Sequence, residues 1–490
     1  MITCAKSIGV FCLGVGATAL VAKAEVQMPA RVQQLPAVVE KALTTHPEVQ
    51  ARYQDFVSSL EGQNVAKGGW RPQVTAQGWV GKEWRSRMPG ESNYDWSRPG
   101  WNLDLRQLIF DGGATTGAIR QWGFEKLSGY YELMATSNNT ANEAVAAYID
   151  VLRYREMRRL AKENFDLHEF TLSQLRERQQ SGVGRGVDLE QANGRLALAQ
   201  SNLMTESGNL NDVSQRYRRL VGELPVADMA PVPEVSGRLA LVSDARNFED
   251  SIRSNPSLLS KQALVLAAQA GEKSAKGSRA PLVELRAGVG RDRTQPSGIY
   301  RDMQTANVQV LMTYNLYRGG SDEARVRQTI AQGYAARDVA EYTCRNVQQE
   351  LSVSWNNIMR LRQQLPFLRE HEMSTSKVRE AYQQQFRIGQ RSLLDLLDTE
   401  NELFDARRAL TNAQYDLKKQ EYQWLALSSN LLETLGLAQP YASDLPEEQQ
   451  SLVLPDDLLQ ACMTPIPDTE NLAPVIAYRE GDQPPLLTAQ

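Results

Sequence analysis

The chain has 490 residues, 42% of them hydrophobic, and a mean hydropathy of −0.45, which excludes a bundle of membrane-spanning helices. Its 54 basic and 58 acidic residues leave a formal net charge of −4, so no nucleic acid is expected as a partner. Three histidines (His46, His168 and His371) and the lack of any HExxH, P-loop or Cys-x-x-Cys spacing argue against an enzyme, and no cofactor or metal is expected.

The one long apolar run, Ser7 to Ala22, is too short to span a bilayer as a helix. It follows Lys6 and ends in Ala22-Lys23-Ala24, a small-x-small cleavage pattern, so residues 1–24 read as a signal peptide and Glu25 as the mature start. Cys4 and Cys12 would leave with the leader. No cysteine sits at the cleavage point to carry lipid, and losing Lys6 and Lys23 takes the net charge to −6.

Residues 36–68 carry apolar positions at helical period and end at Lys67-Gly68; residues 245–277 do the same. His46-Pro47 reads as a turn or helix entry. Four stretches of period two follow, at about 73–84, 100–110, 282–292 and 306–317. In the third, Val283, Leu285, Ala287 and Val289 alternate with Glu284, Arg286, Gly288 and Gly290. Alternation alone suits an ordinary sheet or sandwich as well as a barrel wall with lipid outside and water inside. A leader without a helical span favours the wall. So do six of eight tryptophans between Trp70 and Trp122, placed as an interfacial girdle, and polar, turn-rich loops at 85–99 and 292–306. Four strands cannot close on themselves in lipid, and the smallest barrels need about eight, so an oligomer is expected whose number the strands leave open.

Helical sequence then runs for about 65 residues after Gly113 and after Gly320, ending at Gly182 and Gly389. Second helices start after 186 and 392 and run to about Leu220 and Leu435. Apolar and small positions at 3-4 spacing predict coiled-coil packing, with a solvated face between them and a kink near Arg362 where Pro366 interrupts. Residues 222–244 read as a Pro-rich linker. Eight of the 21 prolines lie in residues 439–490, a tail expected to be extended or disordered against the helical body. Cys344 sits in helical sequence and Cys462 in that tail, so pairing is not expected to carry stability.

The chain is written twice. Phe110-Asp111-Gly112-Gly113 returns 207 positions later as Tyr317-Arg318-Gly319-Gly320. The same offset carries Glu143, Arg153, Gly182 and Asp188-Leu189 onto Glu350, Arg360, Gly389 and Asp395-Leu396. Upstream the offset is 209, which carries Ala66-Lys67-Gly68 onto Ala275-Lys276-Gly277. A repeat of about 200 residues is far longer than a solenoid unit, so two domain-sized modules are expected, at 25–221 and 245–438.

The leader, the duplicated strand-strand-helix-helix module and the paired Gly-Gly junctions together resemble the TolC family of outer-membrane factors, over residues 36 to about 438. The resemblance implies an α+β membrane protein. Its homotrimer would form a 12-stranded barrel in outer-membrane lipid, four strands per chain, continuing into a long periplasmic α-helical coiled-coil barrel. It further implies a passive channel docked through a periplasmic adaptor to an inner-membrane ABC transporter. The Tyr-x-Gly-Gly junction and the missing lipid-site cysteine resemble the type I secretion branch, in particular the LapE and AggA-like exporters of adhesins. A multidrug efflux channel and a structural coiled-coil envelope protein are the alternatives.

By the same resemblance Asp395 and Asp398 fall on the periplasmic aperture, where a trimer would stack them as two carboxylate rings. Their spacing alone equally suits a capping box on Ser392. Arg391 and Asp188 fall on an inter-coil latch. Phe386 and Val187 replace the hydroxyl-bearing residues of that latch, so a gate held by the ion pair and Phe386 packing is expected. Gly112, Gly113, Gly319 and Gly320 mark strand–helix junctions, and the turns at Gly182, Gly184 and Gly389 are expected adaptor contacts.

Overall fold

The computed structural model describes residues 32–85, 94–182, 185–237, 239, 245–294 and 301–462. The expected leader, Gly184 and the last 28 residues of the tail lie outside the described residues. Each half opens with two helices rather than the single one expected. α1 (Leu35–Thr45) and α2 (Pro47–Gly68) break at His46, and α5 (Ala245–Arg253) and α6 (Pro256–Gly277) break at Ser254-Asn255. The residue before a proline is pushed out of the helical region, while proline itself loses nothing at the first helical position. Asn255 also caps α6, its side-chain oxygen accepting from the amides of Ser257 and Leu258 at 3.0 and 3.3 Å.

β1 (Gln73–Trp79), β4 (Gly100–Phe110), β5 (Leu282–Thr294) and β6 (Arg301–Thr313) form one antiparallel sheet in that order, with β1 and β6 at its edges. Two expectations need correcting. The stretch 73–84 is not one strand, because β2 (Lys82–Arg85) turns away at Val80-Gly81. β2 pairs with β3 (Tyr94–Ser97), inside what reads as a loop. Nor does the last strand begin at 306, since β6 starts five residues earlier and pairs fully with β5 out to Thr294.

Below the sheet, α3 (Ala114–Gln180) and α7 (Ser321–Arg387) each contain 67 residues, about 100 Å of helix. α4 (Gly186–Val221) and α8 (Leu393–Leu427) return antiparallel to them. Buried residues of α7 recur at 340, 344, 347, 351, 354, 358, 361 and 365, the 3-4 spacing of a coiled-coil seam. The helix continues through Pro366, whose missing amide costs about 3 kcal/mol relative to alanine in a helix interior. The main core lies where the linker crosses the helices. There Tyr148, Tyr217, Tyr422 and Trp424 are fully buried among Ile149, Leu220 and Leu258. The Tyr148 hydroxyl donates to the Ala230 carbonyl at 2.6 Å and lies 2.9 Å from that of Gln33, which ties the linker and the start of α1 to α3, and burial pushes its pKa up to about 12.

The described part of the tail, up to Cys462, is folded rather than extended. α9 (Leu431–Thr434) ends near Gly436. The chain then crosses α2, where Tyr441 stacks on Tyr53 at 4.2 Å, and α3, where Glu448 pairs with Lys126 at 2.9 Å. Its last described element is α10 (Asp456–Cys462), which lies against α7 with Leu458 and Leu459 buried. Proline-rich composition reads as disorder only until apolar residues such as these find a surface. Cys462 is disulfide-bonded to Cys344, with Cα atoms 5.7 Å apart, a pairing that the sequence leaves open but does not favour.

Candidate functional site

The sheet has two chemically opposite faces, because directly paired residues of an antiparallel sheet point the same way. One face carries Gln73, Thr75 and Gln77 on β1, Asn102, Asp104 and Arg106 on β4, Arg286 and Gly288 on β5, and Asn307 and Gln309 on β6. Glu284 on the same face is buried between two guanidinium groups. It accepts from Arg106 and, at 2.8 Å, from Arg286. The other face carries Val74, Leu103, Leu105, Ala287, Val289, Val308 and Val310, with Val308 75% exposed. Among the described residues no helix packs over this face. An apolar face bare of protein and a charged face opposite it suit a wall between hydrocarbon and water.

At the upper rim Arg98 grips Asp292 through Nη2 and Nε, at 2.5 and 3.0 Å, and reaches Glu83 at 3.2 Å. The β2–β3 arm is thereby fastened to β5. Trp79, Trp84 and Trp101 are exposed around this end of the sheet.

At the lower rim both Gly-Gly junctions turn strand into helix through left-handed backbone, with φ of 67° and 87° at Gly112 and Gly113 and of 62° and 78° at Gly319 and Gly320. At the first junction the Asp111 carboxylate accepts from the amides of Gly113 and Thr115 at 3.0 and 2.7 Å, capping α3 at the positive end of its dipole. At the second, Arg318 stands in that place, and the acidic residues move into the first turn of α7 as Asp322 and Glu323.

The far ends of the four long helices meet in a small apolar cluster of Leu172, Leu175, Ala192, Leu393 and Leu397, against which Phe386 packs. Turns at Gly182 and Gly389, with φ of 83° and 77°, connect each pair of helices. The Ser392 hydroxyl accepts from the Asp395 amide at 3.2 Å and caps α8. Arg391 and Asp188 are not brought together within one chain. Arg391 instead donates to Gln385 at 3.0 Å, pairs with Asp395 at 3.7 Å and lies 4.2 Å from the Tyr382 ring centre. Asp398 pairs with Arg195 of α4, a contact that spacing cannot suggest because the partners are 203 positions apart. Sequence reasoning also misses the network higher in the bundle. There Asp150 holds Lys419 at 3.0 Å and Arg153, while Arg153 reaches Asp416 at 2.8 Å, joining the two halves.

Among the described residues no group of His, Cys, Asp or Glu is placed to hold a metal ion, and no helix is long and apolar enough to cross a membrane. The geometry offers a two-faced wall, a rigid helical extension and a charged, turn-capped far end. The family described as outer membrane efflux protein matches residues 38–223 and 248–428. The outer membrane efflux protein BepC of Brucella suis biovar 1 (strain 1330) is 25% identical over 394 residues, covering 80% of this chain and 84% of BepC. The alkaline protease secretion protein AprF of Pseudomonas aeruginosa is 23% identical over 393 residues, covering 76% and 80%. The solved CmeC outer membrane channel of Campylobacter jejuni shares the fold at a TM-score of 0.73 and 14% identity, over 86% of this chain and 90% of CmeC.

Proposed function

The chain belongs to the outer membrane efflux protein family, to which the TolC-like arrangement of its halves pointed, and on that premise we propose that it is the passive outer-membrane duct of a protein secretion machine. The observation that carries this reading is the open four-stranded sheet. Its edges β1 and β6 have no partner among the described residues, and an unpaired edge is untenable in hydrocarbon. Three copies supply twelve strands and a lumen wide enough for water, whereas two would supply an eight-stranded barrel filled by its own side chains. Closing the ring turns the face of Asn102, Asp104, Arg106 and Glu284 inward and the valine-rich face toward lipid. The helices continue the duct through the periplasm to an adaptor and an ATP-driven pump, with the turns at Gly182, Gly184 and Gly389 meeting the adaptor.

The gate belongs to the same reading. In a ring, Asp395 and Asp398 stand as two tiers of carboxylates at the far end. Within one copy each already has an arginine, Arg391 for Asp395 and Arg195 for Asp398. Closing brings Arg391 to Asp188 of the adjacent copy, while Phe386 holds the helix ends by packing. Val187 and Phe386 have no hydroxyl with which to extend the latch.

Protein cargo is supported by the secretion role in AprF's name and by the lack of a lipid-site cysteine. Small-molecule efflux is the second reading, favoured by BepC's name. A deletion strain, with and without the complementing gene, separates them. Loss of a surface or supernatant protein with unchanged drug tolerance supports secretion. An unchanged secretome with raised drug sensitivity moves the channel to efflux.

A further inference from the structure

Between the main core and the apolar cluster at the far end, α3, α7 and α8 border a cavity of about 180 Å3. Leu160 and Leu167 of α3 and Leu403 and Phe404 of α8 make part of its wall apolar. Asn164 of α3, Arg379 of α7 and Glu400 of α8 add a polar part. Asn164 and Glu400 are each only 7% exposed. Among the described residues the Asn164 side chain has no hydrogen-bond partner, and the buried Arg379 Nε has none either. Glu400 has only that guanidinium, 3.5 Å away and out of hydrogen-bond alignment. Burial holds the Glu400 carboxyl above the usual carboxylate range, which Arg379 and Arg407 offset in part. Glu163 and Arg407 also border the space, but both are already paired, with Arg159 and with Glu372 at 3.1 Å.

Buried polar groups without hydrogen bonds cost free energy, so three in one place call for a reason. Helix packing does not supply it. At the repeat offset of 207, Arg379 corresponds to Leu172 and Glu400 to Asn193, and Leu172 is buried in the apolar cluster at the far end. We propose that the cavity is a binding site for a small neutral amide with a short apolar body. Asn164 and Arg379 donate to the amide oxygen, Glu400 accepts the amide N–H, and the leucines and Phe404 hold the hydrocarbon.

Charge selects the neutral ligand. An anion would meet Glu163 and Glu400, a cation would meet Arg379 and Arg407, and either would leave its hydration behind. Water satisfies the polar part alone: each buried molecule needs about two to four polar partners, and the four apolar side chains offer none. An amide with a hydrocarbon body matches both parts at once. The ligand also touches both halves of the chain, because α3 belongs to the first and α7 and α8 to the second. Its binding therefore favours the arrangement in which the halves are packed.

The test uses the full-length protein in lipid nanodiscs and three probes that share one branched hydrocarbon: isovaleramide, isovalerate and isopentylamine. Each is followed by saturation-transfer NMR against protein-free nanodiscs. Isovaleramide is expected to receive saturation and to bind about tenfold more tightly than either ion. Asn164→Leu should abolish this binding. Leu167→Trp fills the space from a half-exposed wall position and should abolish it too, which keeps the test decisive where leucine at 164 disturbs the helices. Glu400→Gln removes the charge that balances Arg379 and should move the preference to isovalerate. Equal binding in the parent and in Leu167→Trp overturns the proposal. So does a preference of the parent for either ion, or saturation of none of the probes, which would leave the cavity to water.

Discussion

Gly112 and Gly113 separate two reasons for glycine at neighbouring positions. Both have left-handed backbone, which costs an L-residue about 1–2 kcal/mol. At Gly113 nothing lies within 4 Å of a Cβ, but at Gly112 it would stand 2.3 Å from the Ala280 Cβ and 2.5 Å from the Gly277 oxygen. Overpacking adds about 1–3 kcal/mol, so Gly112→Ala should melt clearly below Gly113→Ala when helicity is followed by circular dichroism. His168 is fully buried on α3. Burial holds its imidazole below the usual histidine range; the neighbouring Asn401 side chain offsets this in part, and the charge of Arg195 lowers it further. Near neutral pH both folded and unfolded states keep it uncharged. Below about 6.5 the unfolded chain takes up a proton that the folded chain refuses, so stability falls as pH drops from there toward the folded pKa. Urea unfolding at a series of pH values should show this loss, and His168→Asn should flatten it; an unchanged slope would assign the loss to other groups. At the aperture, Arg391→Ala should raise open-channel conductance in a planar bilayer, and unchanged conductance would remove Arg391 from the gate.

Elements differ in how plainly the sequence announces them. The 67-residue helices are legible because apolar residues keep 3-4 spacing from end to end, and α3 and α7 match in length because they are copies. The main strands are legible because Val283 to Val289 alternate with polar residues. The β2–β3 arm is not, since Lys82-Glu83-Trp84-Arg85 carries no such alternation and gains its place from Arg98 on Asp292. The tail misleads because its prolines stand out in composition, while the apolar residues that dock it, Tyr441, Leu458 and Leu459 among them, are scattered between polar ones. The cysteine pair is invisible in a linear reading: 118 positions separate two residues that only the docked tail brings together. The same separation makes the bond strong in its effect, because closing a loop of that length restrains the unfolded chain by about 4–5 kcal/mol. Cys462→Ser should therefore lower the unfolding temperature, reductant should lower that of the wild type to a similar value, and the variant should not respond to reductant. For the far end of the helices, the sequence locates the acidic pair and the turns. Arg391 stands four positions before Asp395, a spacing that the sequence shows, whereas Arg195, the partner of Asp398, lies 203 positions away and is brought there only by the packing of α4 on α8.

For the whole molecule, the proposed ring would rest the charge balance of its inner wall on a few side chains. Glu284 stands between Arg106 and Arg286, so each copy brings two cations and one buried carboxylate to this level of the wall. In the proposed three-copy ring, replacing both arginines by glutamine would leave one carboxylate per copy without its cations, and these would attract cations from the lumen. Reversal potentials in a salt gradient should then shift toward cation selectivity, and an unchanged potential would place Glu284 away from the conducting path. The stapled tail has a different consequence, for the history of each copy. Cys344 lies in α7, while its partner is in the last described helix, with α8 and the whole strap across α2 and α3 between them. A chain that ends early, or whose strap has not yet docked, still carries a free thiol at Cys344. The oxidation state of that one sulfur thus separates copies whose strap has docked from truncated or undocked ones.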